Sequence, residues 1–231
     1  MKKQFFLVLD VETANSTNDA LVYDIGFAVC DRKGEIYDCA SFIVSDIYDG
    51  EKDLMDTAYY AKKLPQYEDG LKNQMFEKVS FYTARQRIKE VLQKYNIEAV
   101  CAYNAGFDTR ALNTTQRWLT KSKYRWFLPY GTKVFCIWNM ACQVICTQKK
   151  YVKFCLDNGF ISKSGNIRTS AETVYAYIKK WEDFEESHTG FQDVLIEVQI
   201  MAHCFRQHKK MNKNINKYCW RIPQKKRKEG N

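Results

Sequence analysis

Apolar and polar positions follow two patterns along the chain, one typical of strands and one of helices. Runs of apolar and β-forming residues predict strands over residues 4–9, 21–30, 35–44, 98–103 and 133–137. Helical spacing predicts helices from about residue 54 with a break at Pro65, and over residues 83–95, 111–119, 139–146, 151–158 and 191–207. The strands come mostly first, and the second half of the chain is mostly helical.

Local signals place two helix ends. Gly159 is expected to end the helix over residues 151–158, because glycine tolerates the left-handed conformation that follows many helices. Thr169 stands three residues before Glu172, and this spacing predicts a capping box that opens a helix through about residue 180.

Strands first, helices interleaved with them and a helical C-terminal half predict an α/β fold, a mixed β-sheet flanked by helices. Neither an internal repeat nor an interdomain linker is visible in the sequence. Residues 1–208 are expected to form this domain, and residues 209–231, which are rich in lysine, a basic and partly flexible C-terminal tail. A phosphate-gripping arm and an import signal are the alternatives for the tail.

Composition narrows the class of partner. The 231 residues are 45% hydrophobic, enough for a continuous core, and carry a formal net charge of +9. A charge of this size favours a polyanionic partner, nucleic acid or an acidic membrane surface, over a small acidic molecule, although it can also serve solubility alone. The aromatic fraction of 15% supplies core residues and rings on which bases can stack.

Nine cysteines form no Cys-x-x-Cys pair, and several lie within apolar runs. They are interpreted as buried, reduced thiols, and with no signal peptide and no apolar run near 20 residues they indicate a cytoplasmic, reducing compartment and no membrane span. Zinc binding by Cys136, Cys142 and Cys146 is an alternative whose spacing matches known zinc patterns poorly.

The candidate chemistry lies in three short segments. Asp10 and Glu12 stand two residues apart at the end of the first predicted strand, so both side chains project from one face and can approach one cation. Asp108 follows another predicted strand and falls in the first turn of the next helix. Asp193 lies near the start of the last helix. Each of the last two alone is also explained as an acid stabilised by the helix dipole.

His188 is one of only three histidines and precedes Asp193 by five residues, on a turn before the last helix. A histidine there can face solvent and move, as a general base must, although a surface histidine without a role is the alternative. Asp24 is a separate candidate for the metal site, but it is interpreted first as a polar residue at a strand end.

Taken together, the order, strand-end placement and separations of these five residues resemble the DEDDh branch of the DnaQ-like 3′–5′ exonucleases, whose fold is ribonuclease H-like. The resemblance extends from about residue 5 to residue 206. In that family the third motif is a histidine five residues before the aspartate or a tyrosine four residues before it. Here His188 stands five residues before Asp193 and Thr189 stands four before it, which indicates the histidine branch.

The resemblance implies a two-metal enzyme. Asp10, Glu12 and Asp193 would hold the first divalent ion, and Asp10 would bridge to a second ion that Asp108 reaches. Oxygen ligands suit Mg²⁺ or Mn²⁺. His188 would be the general base for hydrolysis of the terminal phosphodiester, which releases a nucleoside 5′-monophosphate.

The family further implies contacts with the terminal nucleotide by Thr13 and Ala14, just after the first motif, and by Asn104 and Phe107 in the second. Phe107 also suits the core. The interior of the third motif, Thr-Gly-Phe-Gln, and the charged segment 46–76 depart from the family pattern, and both bear on substrate choice rather than on the chemistry.

The expected substrate is therefore a single-stranded DNA end, and the expected setting is a proofreading-type or stand-alone enzyme of a bacterium or phage with replication or repair partners. An enzyme that trims RNA or short oligoribonucleotides is the alternative among enzymes, because no residue distinguishes the 2′-hydroxyl. A nucleic-acid-binding module without catalysis is the alternative of another class. A membrane-surface protein is disfavoured because the basic tail lacks an apolar face.

Overall fold

The computed structural model describes residues 3–58, 61–184 and 188–229, and a six-stranded sheet runs through the centre of this part of the chain. The strands are β1 (Phe5–Ala14), β2 (Leu21–Asp31), β3 (Ile36–Val44), β4 (Glu77–Val79), β5 (Ala99–Ala102) and β6 (Val134–Cys136). Their order in the sheet is β4-β3-β2-β1-β5-β6. The pairs β1–β2 and β2–β3 are antiparallel, and the other neighbours are parallel. The prediction of an α/β fold with a mixed sheet is confirmed.

Helices cover both faces of the sheet. They are α1 (Ser45–Tyr48), α2 (Lys52–Asp56), α3 (Leu64–Lys72), α4 (Phe81–Lys94), α5 (Ala105–Thr120), α6 (Ile137–Val144), α7 (Lys149–Asp157), α8 (Ala171–Lys179), α9 (Gly190–Arg206) and α10 (Arg221–Glu229), and a 3₁₀ turn at Ala61–Lys63 precedes α3. Residues 59–60, which fall in the predicted helical stretch from residue 54, lie outside the described residues.

Alternation along β1 assigns its side chains to two cores. Leu7, Leu9 and Val11 are buried on the face that α4 and α5 cover, whereas Phe6 and Val8 are buried on the face that α6 to α9 cover. Every residue of β2 is buried, as expected for a strand with helices on both faces. Asp10 and Glu12 continue the alternation of Phe6 and Val8 and therefore belong to the face that carries α9.

Two element boundaries differ from the sequence prediction in ways that matter for the site. β1 continues past residue 9 to Ala14, because β2 pairs with it over its whole length. The two acids therefore lie within a paired strand. Helix α5 begins at Ala105, which is buried, six residues before the predicted start at residue 111. Asp108 lies in its first turn, as expected.

Of the two predicted helix ends, the one at Gly159 agrees with the structure and the cap at Thr169 does not. Gly159 follows α7 with a φ of +70°, as expected. The N-cap of α8 is Ser170 and not Thr169: the Ser170 hydroxyl accepts a hydrogen bond from the Thr173 N–H at 3.4 Å. The Thr169 hydroxyl instead accepts a hydrogen bond from the Trp138 indole N–H at 2.9 Å. Short β4 and α1 were not visible in the pattern of the sequence.

The C-terminal segment contacts the rest of the domain at several points. The Cys136 N–H donates to the Lys213 carbonyl at 2.7 Å, and the Asn139 amide donates to the Asn214 carbonyl at 2.9 Å. Gln224 on α10 is buried and bonds both backbone groups of Ile167. The division at residue 208 stays a prediction, and residues 230–231 of the basic end lie outside the described residues.

All nine cysteines are free thiols, and all but Cys39 are buried. Burial raises the pKa of the Cys142 and Cys136 thiols, which therefore stay protonated at neutral pH. Among the helices of the described residues, none combines the length and the apolar character that crossing a membrane requires.

Candidate active site

The first motif lies where β1 extends beyond its parallel neighbour. β5 pairs with β1 only at Phe6 to Val8, so the backbone of the following residues is not paired on that side. The Asp108 carboxylate occupies this place and accepts a hydrogen bond from the Val11 N–H, between Asp10 and Glu12 in sequence. Asp108 is 4% exposed, and burial raises its pKa to about 7. The second motif is thus joined to the first through the backbone of β1.

The third motif lies at the start of α9. Thr189 is the N-cap residue, and its carbonyl accepts the N–H of Asp193 at 3.0 Å. Nδ1 of His188 lies 4.0 Å from Oδ2 of Asp193, and the backbone N–H of His188 donates to the same carboxylate. His188 has a φ of +52°, a left-handed conformation that costs a non-glycine residue free energy. The side chain of His188 is about one-third exposed and turned toward Asp193.

Glu12, His188 and Asp193 converge. Each offers a ligand atom, and these atoms all lie within 4.8 Å of one another. Within the described residues this is the one group of three or more such side chains, so Cys136, Cys142 and Cys146 do not form a comparable cluster. Asp10, half-buried on the same strand, is close enough for its pKa to be raised by Asp108, Glu12 and Asp193.

Burial and crowding of like charges dominate the electrostatics of this cluster. Burial first, and then the charge of Asp193, raises the pKa of Glu12 to about 9. Burial raises the pKa of Asp193 to about 7, and burial together with the neighbouring carboxylates raises that of Asp10 well above its ordinary value. The protein holds several acids where ionisation is unfavourable unless positive charge is supplied.

This donor set fits a hard divalent cation. Oδ1 of Asp193 is buried and has no hydrogen-bond partner among the described residues, so it is available as a ligand. The charge of a cation would offset both the burial and the mutual repulsion of the carboxylates. Carboxylate oxygens with one histidine at the margin match the preferences of Mg²⁺ or Mn²⁺.

Two further charged residues border the cluster, and the sequence interpretation assigned a role to neither. Glu197 lies one helical turn beyond Asp193 on α9, is 3% exposed and raises the pKa of Asp10. Its spacing of four residues from Asp193 was a visible signal once the helix was predicted. Lys63 lies in the 3₁₀ turn before α3. Its positive charge partly offsets the rise in the pKa of Glu12 and Asp193 and contributes to the lowering of the pKa of His188.

Asp24 is the largest difference between prediction and structure at the site. It lies within β2, directly opposite Glu12, and is fully buried, not at the end of a strand. Its Oδ2 accepts two hydrogen bonds, from the Tyr67 hydroxyl at 2.8 Å and from the Gly190 N–H at 2.9 Å. Burial raises the pKa of Asp24 to about 6, and these hydrogen bonds limit the rise. Asp24 thus joins α3 and the start of α9 to the sheet.

The start of α9 touches the sheet backbone to backbone. A Cβ atom at Gly190 would lie 2.8 Å from the Gly26 nitrogen and 3.2 Å from the Asp10 carbonyl oxygen. A Cβ atom at Gly26 would overlap the backbone of Gly190 and Phe191. Only glycine at both positions allows this approach, which brings the third motif over Asp10.

The four residues predicted to contact substrate occupy different environments. Ala14 is fully buried, Thr13 is half-buried, and Asn104 is exposed. Phe107 is half-buried against the core and also lines a groove beside α5 together with Asn104. Their contacts with a nucleotide stay a prediction.

No protein-family model matches the chain, and no curated protein matches it significantly in sequence. Solved structures do match. The zinc-bound form of the Escherichia coli exonuclease I complex with single-stranded DNA has a TM-score of 0.54 and 14% identity, over 85% of this chain and 39% of that chain. The same E. coli enzyme with a dA16 oligonucleotide has a TM-score of 0.55 and 12% identity, over 85% and 40%.

An ExoI/SSB-Ct complex is also similar, with a TM-score of 0.53 and 11% identity over 89% of this chain and 43% of the other. At these identities the likeness shows the fold, a ribonuclease H-like sheet flanked by helices, and this part of the expectation is confirmed. The chain spans about two-fifths of the length of the solved structures that it matches.

Proposed function

We propose that this protein is a metal-dependent 3′–5′ exonuclease of the DEDDh type that releases nucleoside 5′-monophosphates from single-stranded DNA ends. The observation that carries the proposal is the convergence of Glu12, His188 and Asp193 within 4.8 Å, with Asp10 and Asp108 beside them. Four carboxylates and a histidine are the groups that two-metal phosphodiester hydrolysis needs. The exonuclease fold of the neighbours agrees with this assignment.

The carboxylates have the role of ligands. Asp10, Glu12 and Asp193 would hold one divalent ion, and Asp10 with Asp108 a second, Mg²⁺ or Mn²⁺ in each case. When bound, such ions lower the pKa of a water molecule and stabilise the charge on the departing 3′ oxygen. With such ions bound, all four carboxylates would be ionised at neutral pH, because the positive charge would offset the burial and mutual repulsion that raise their pKa values.

His188 has the role of the general base. Partial burial, Lys63 and Lys62 lower its pKa, so the imidazole is neutral at neutral pH and can accept a proton. It takes the proton of the attacking water as the oxygen–phosphorus bond forms. The bond between phosphorus and the 3′ oxygen of the preceding nucleotide breaks, and this oxygen takes a proton from solvent to become the 3′ hydroxyl of the shortened strand. The products are a nucleoside 5′-monophosphate and a strand one nucleotide shorter.

The test is a time course of product release from single-stranded DNA and RNA of equal sequence, labelled at the 5′ end or at the 3′ end. Each is incubated with Mg²⁺, Mn²⁺ or EDTA, beside Asp10→Asn as the matched isosteric control. We expect metal-dependent, stepwise shortening of the 5′-labelled DNA and release of labelled mononucleotide from the 3′-labelled DNA. Faster shortening of RNA would replace DNA by RNA as the substrate, and binding without shortening in any metal would indicate a non-catalytic module.

A further inference from the structure

A groove of about 650 Å³ runs beside α5, outside the carboxylate cluster. We call it the α5 groove. One wall is α5 from Gly106 to Arg117, the opposite wall is residues 215–217 of the C-terminal segment, and Trp126 and Trp138 complete the lining. The hydrogen bonds of Cys136 and Asn139 to the Lys213 and Asn214 carbonyls hold the second wall in place.

The groove is positively charged. Arg110, Arg117 and Lys217 line it, and no acidic residue does so in the described part of the chain. In the ion pairs found among the described residues, none of these three cations has a carboxylate partner. Three cations without a lining anion favour an anionic ligand with several charges.

The lining of the groove also contains two tryptophan rings, Trp126 and Trp138. Trp126 is 57% exposed, and the Arg117 guanidinium lies 5.6 Å from the centre of its ring. Trp138 is fixed at its indole N–H by the Thr169 hydroxyl, so its ring has a defined place in the groove. Exposed rings next to arginine side chains are the combination that binds unpaired bases and phosphates together.

One end of the groove lies at the start of α5, where Asn104 and Phe107 line it. The first turn of the same helix carries Asp108 of the carboxylate cluster. At the other end Arg110 and Arg117 also line a more open hollow that continues to Trp118 and Lys121 and has one acidic residue, Asp19, in its lining. From Arg110 to Lys121 the path along the helix is about 16 Å at the rise of an α-helix, which is long enough for several nucleotides.

We propose that the α5 groove binds the part of a single-stranded polynucleotide that lies upstream of the scissile phosphate, with Arg110, Arg117 and Lys217 at its phosphates and Trp126 stacked on a base. The direction of the strand rests on the proposed exonuclease function, whereas the binding does not. The proposal gives the C-terminal segment a role as one wall of the groove. Duplex DNA is disfavoured because its bases are not free to stack on Trp126.

The first experiment measures binding in EDTA, where no hydrolysis occurs, by fluorescence anisotropy of labelled single strands of about three and about twelve nucleotides. The variants are Arg110→Gln/Arg117→Gln and Trp126→Ala. The matched controls are Lys150→Gln on α7, on the other face of the sheet, and Trp181→Ala, which is 56% exposed and lies outside the groove. Equal melting temperatures establish that every variant is folded.

We expect the arginine variant to weaken binding of the longer strand at least tenfold, with a smaller effect on the shorter strand. The slope of log affinity against log salt should decrease in magnitude by about 1.4, the value for two phosphate contacts on a single strand. Trp126→Ala should weaken binding of the longer strand about fivefold or more, Trp126→Phe should restore most of it, and both controls should match the wild type.

Unchanged affinity of the longer strand in the arginine and Trp126 variants would overturn the proposal, as would equal losses in the controls. Absence of strand binding by the wild type would overturn it as well. A selective loss of binding in a protein that hydrolyses no strand would support the groove while contradicting the exonuclease. In an active enzyme, the same variants should raise KM for the longer strand and leave kcat within a few-fold.

Discussion

The carboxylate cluster and the α5 groove share helix α5 but are built in opposite ways. The cluster places acids on a paired strand and on the first turns of two helices, where burial and like charges raise their pKa values. The groove places arginines and an exposed tryptophan on an open face, where their charges stay solvated. Asp108 belongs to the cluster, and Arg110, two residues later on α5, belongs to the groove.

Under the two proposals, this difference lets one helix serve two tasks. Chemistry at phosphorus needs ligands held in fixed positions, and the sheet and the glycine contact below α9 supply that rigidity at a cost in stability. Holding a strand of variable sequence needs charge and stacking surface, which long exposed side chains supply with little cost in stability. Changes in the cluster should therefore act on turnover, and changes in the groove on binding.

The largest effect that separates the two regions is expected for Asp10→Asn. Loss of one ionised ligand should reduce hydrolysis at least about a thousandfold, comparable to the loss of a preorganised electrostatic group. Binding of a single strand in EDTA should stay within about twofold, because the groove is unchanged. Steady-state kinetics and anisotropy measure the two quantities, and retained turnover would remove Asp10 from the site.

His188→Ala tests whether His188 acts as the general base or as a metal ligand. We expect kcat to fall by about 10² to 10⁴, the usual contribution of a general base, with Mn²⁺ affinity within a few-fold of the wild type. The wild-type rate should rise with pH as His188 loses its proton, with a midpoint below 6.5 because its pKa is lowered. This limb should be absent from the variant. A parallel loss of Mn²⁺ binding would make His188 a ligand instead.

Gly190→Ala tests whether the close backbone contact between α9 and the sheet holds the cluster in place. A Cβ 2.8 Å from the Gly26 nitrogen must displace α9, so unfolding should become easier by roughly 1–3 kcal/mol and kcat should fall at least tenfold. Gly106→Ala, in the first turn of α5, is the matched control, since its Cβ would meet only a methyl group of Ile215 at 3.1 Å. Equal effects of the two changes on melting temperature and kcat would contradict the special role of the glycine contact.

The pH dependence of stability tests the crowding of carboxylates. Because the pKa of Glu12 rises from 4.5 to about 9 on folding, its protonated form favours the native state, and this stability is lost as pH rises through that window. In EDTA, the melting temperature of the wild type should therefore decline from pH 5 to pH 9 more steeply than that of Glu12→Gln. Mg²⁺ should flatten the wild-type decline. Parallel curves for both proteins in EDTA would contradict the account.

Tyr67→Phe should have the smallest effect. It removes one of the two hydrogen bonds to Asp24 and should cost about 1 kcal/mol, or roughly 2–4 °C in melting temperature. A modest decrease in kcat should accompany this, because the bond of Asp24 to Gly190 persists. Calorimetry and single-turnover kinetics measure the two effects, and a loss of kcat as large as that of His188→Ala would show that Tyr67 acts on the chemistry.

The sequence predicted the sheet because strand signals are local, whereas it indicated the five candidate residues only through their joint pattern along the chain. Asp10 and Glu12 follow an apolar run, and His188 and Asp193 share one short motif. It did not predict the role of Asp24, whose partners Tyr67 and Gly190 stand 43 and 166 residues away and meet it only through the fold. The start of α5 was missed because Asn104, Ala105 and Gly106 have the composition of a turn, whereas burial of Ala105 favours the helix.

The central claim is that the carboxylate cluster is a divalent-cation site, and anomalous diffraction from crystals soaked in Mn²⁺ tests it most directly. We expect anomalous peaks within the cluster, bonded to Glu12 and Asp193, and none there in crystals of Asp193→Asn treated in the same way. A wild-type crystal with an intact cluster and no manganese in it, or with manganese only elsewhere, would contradict the account.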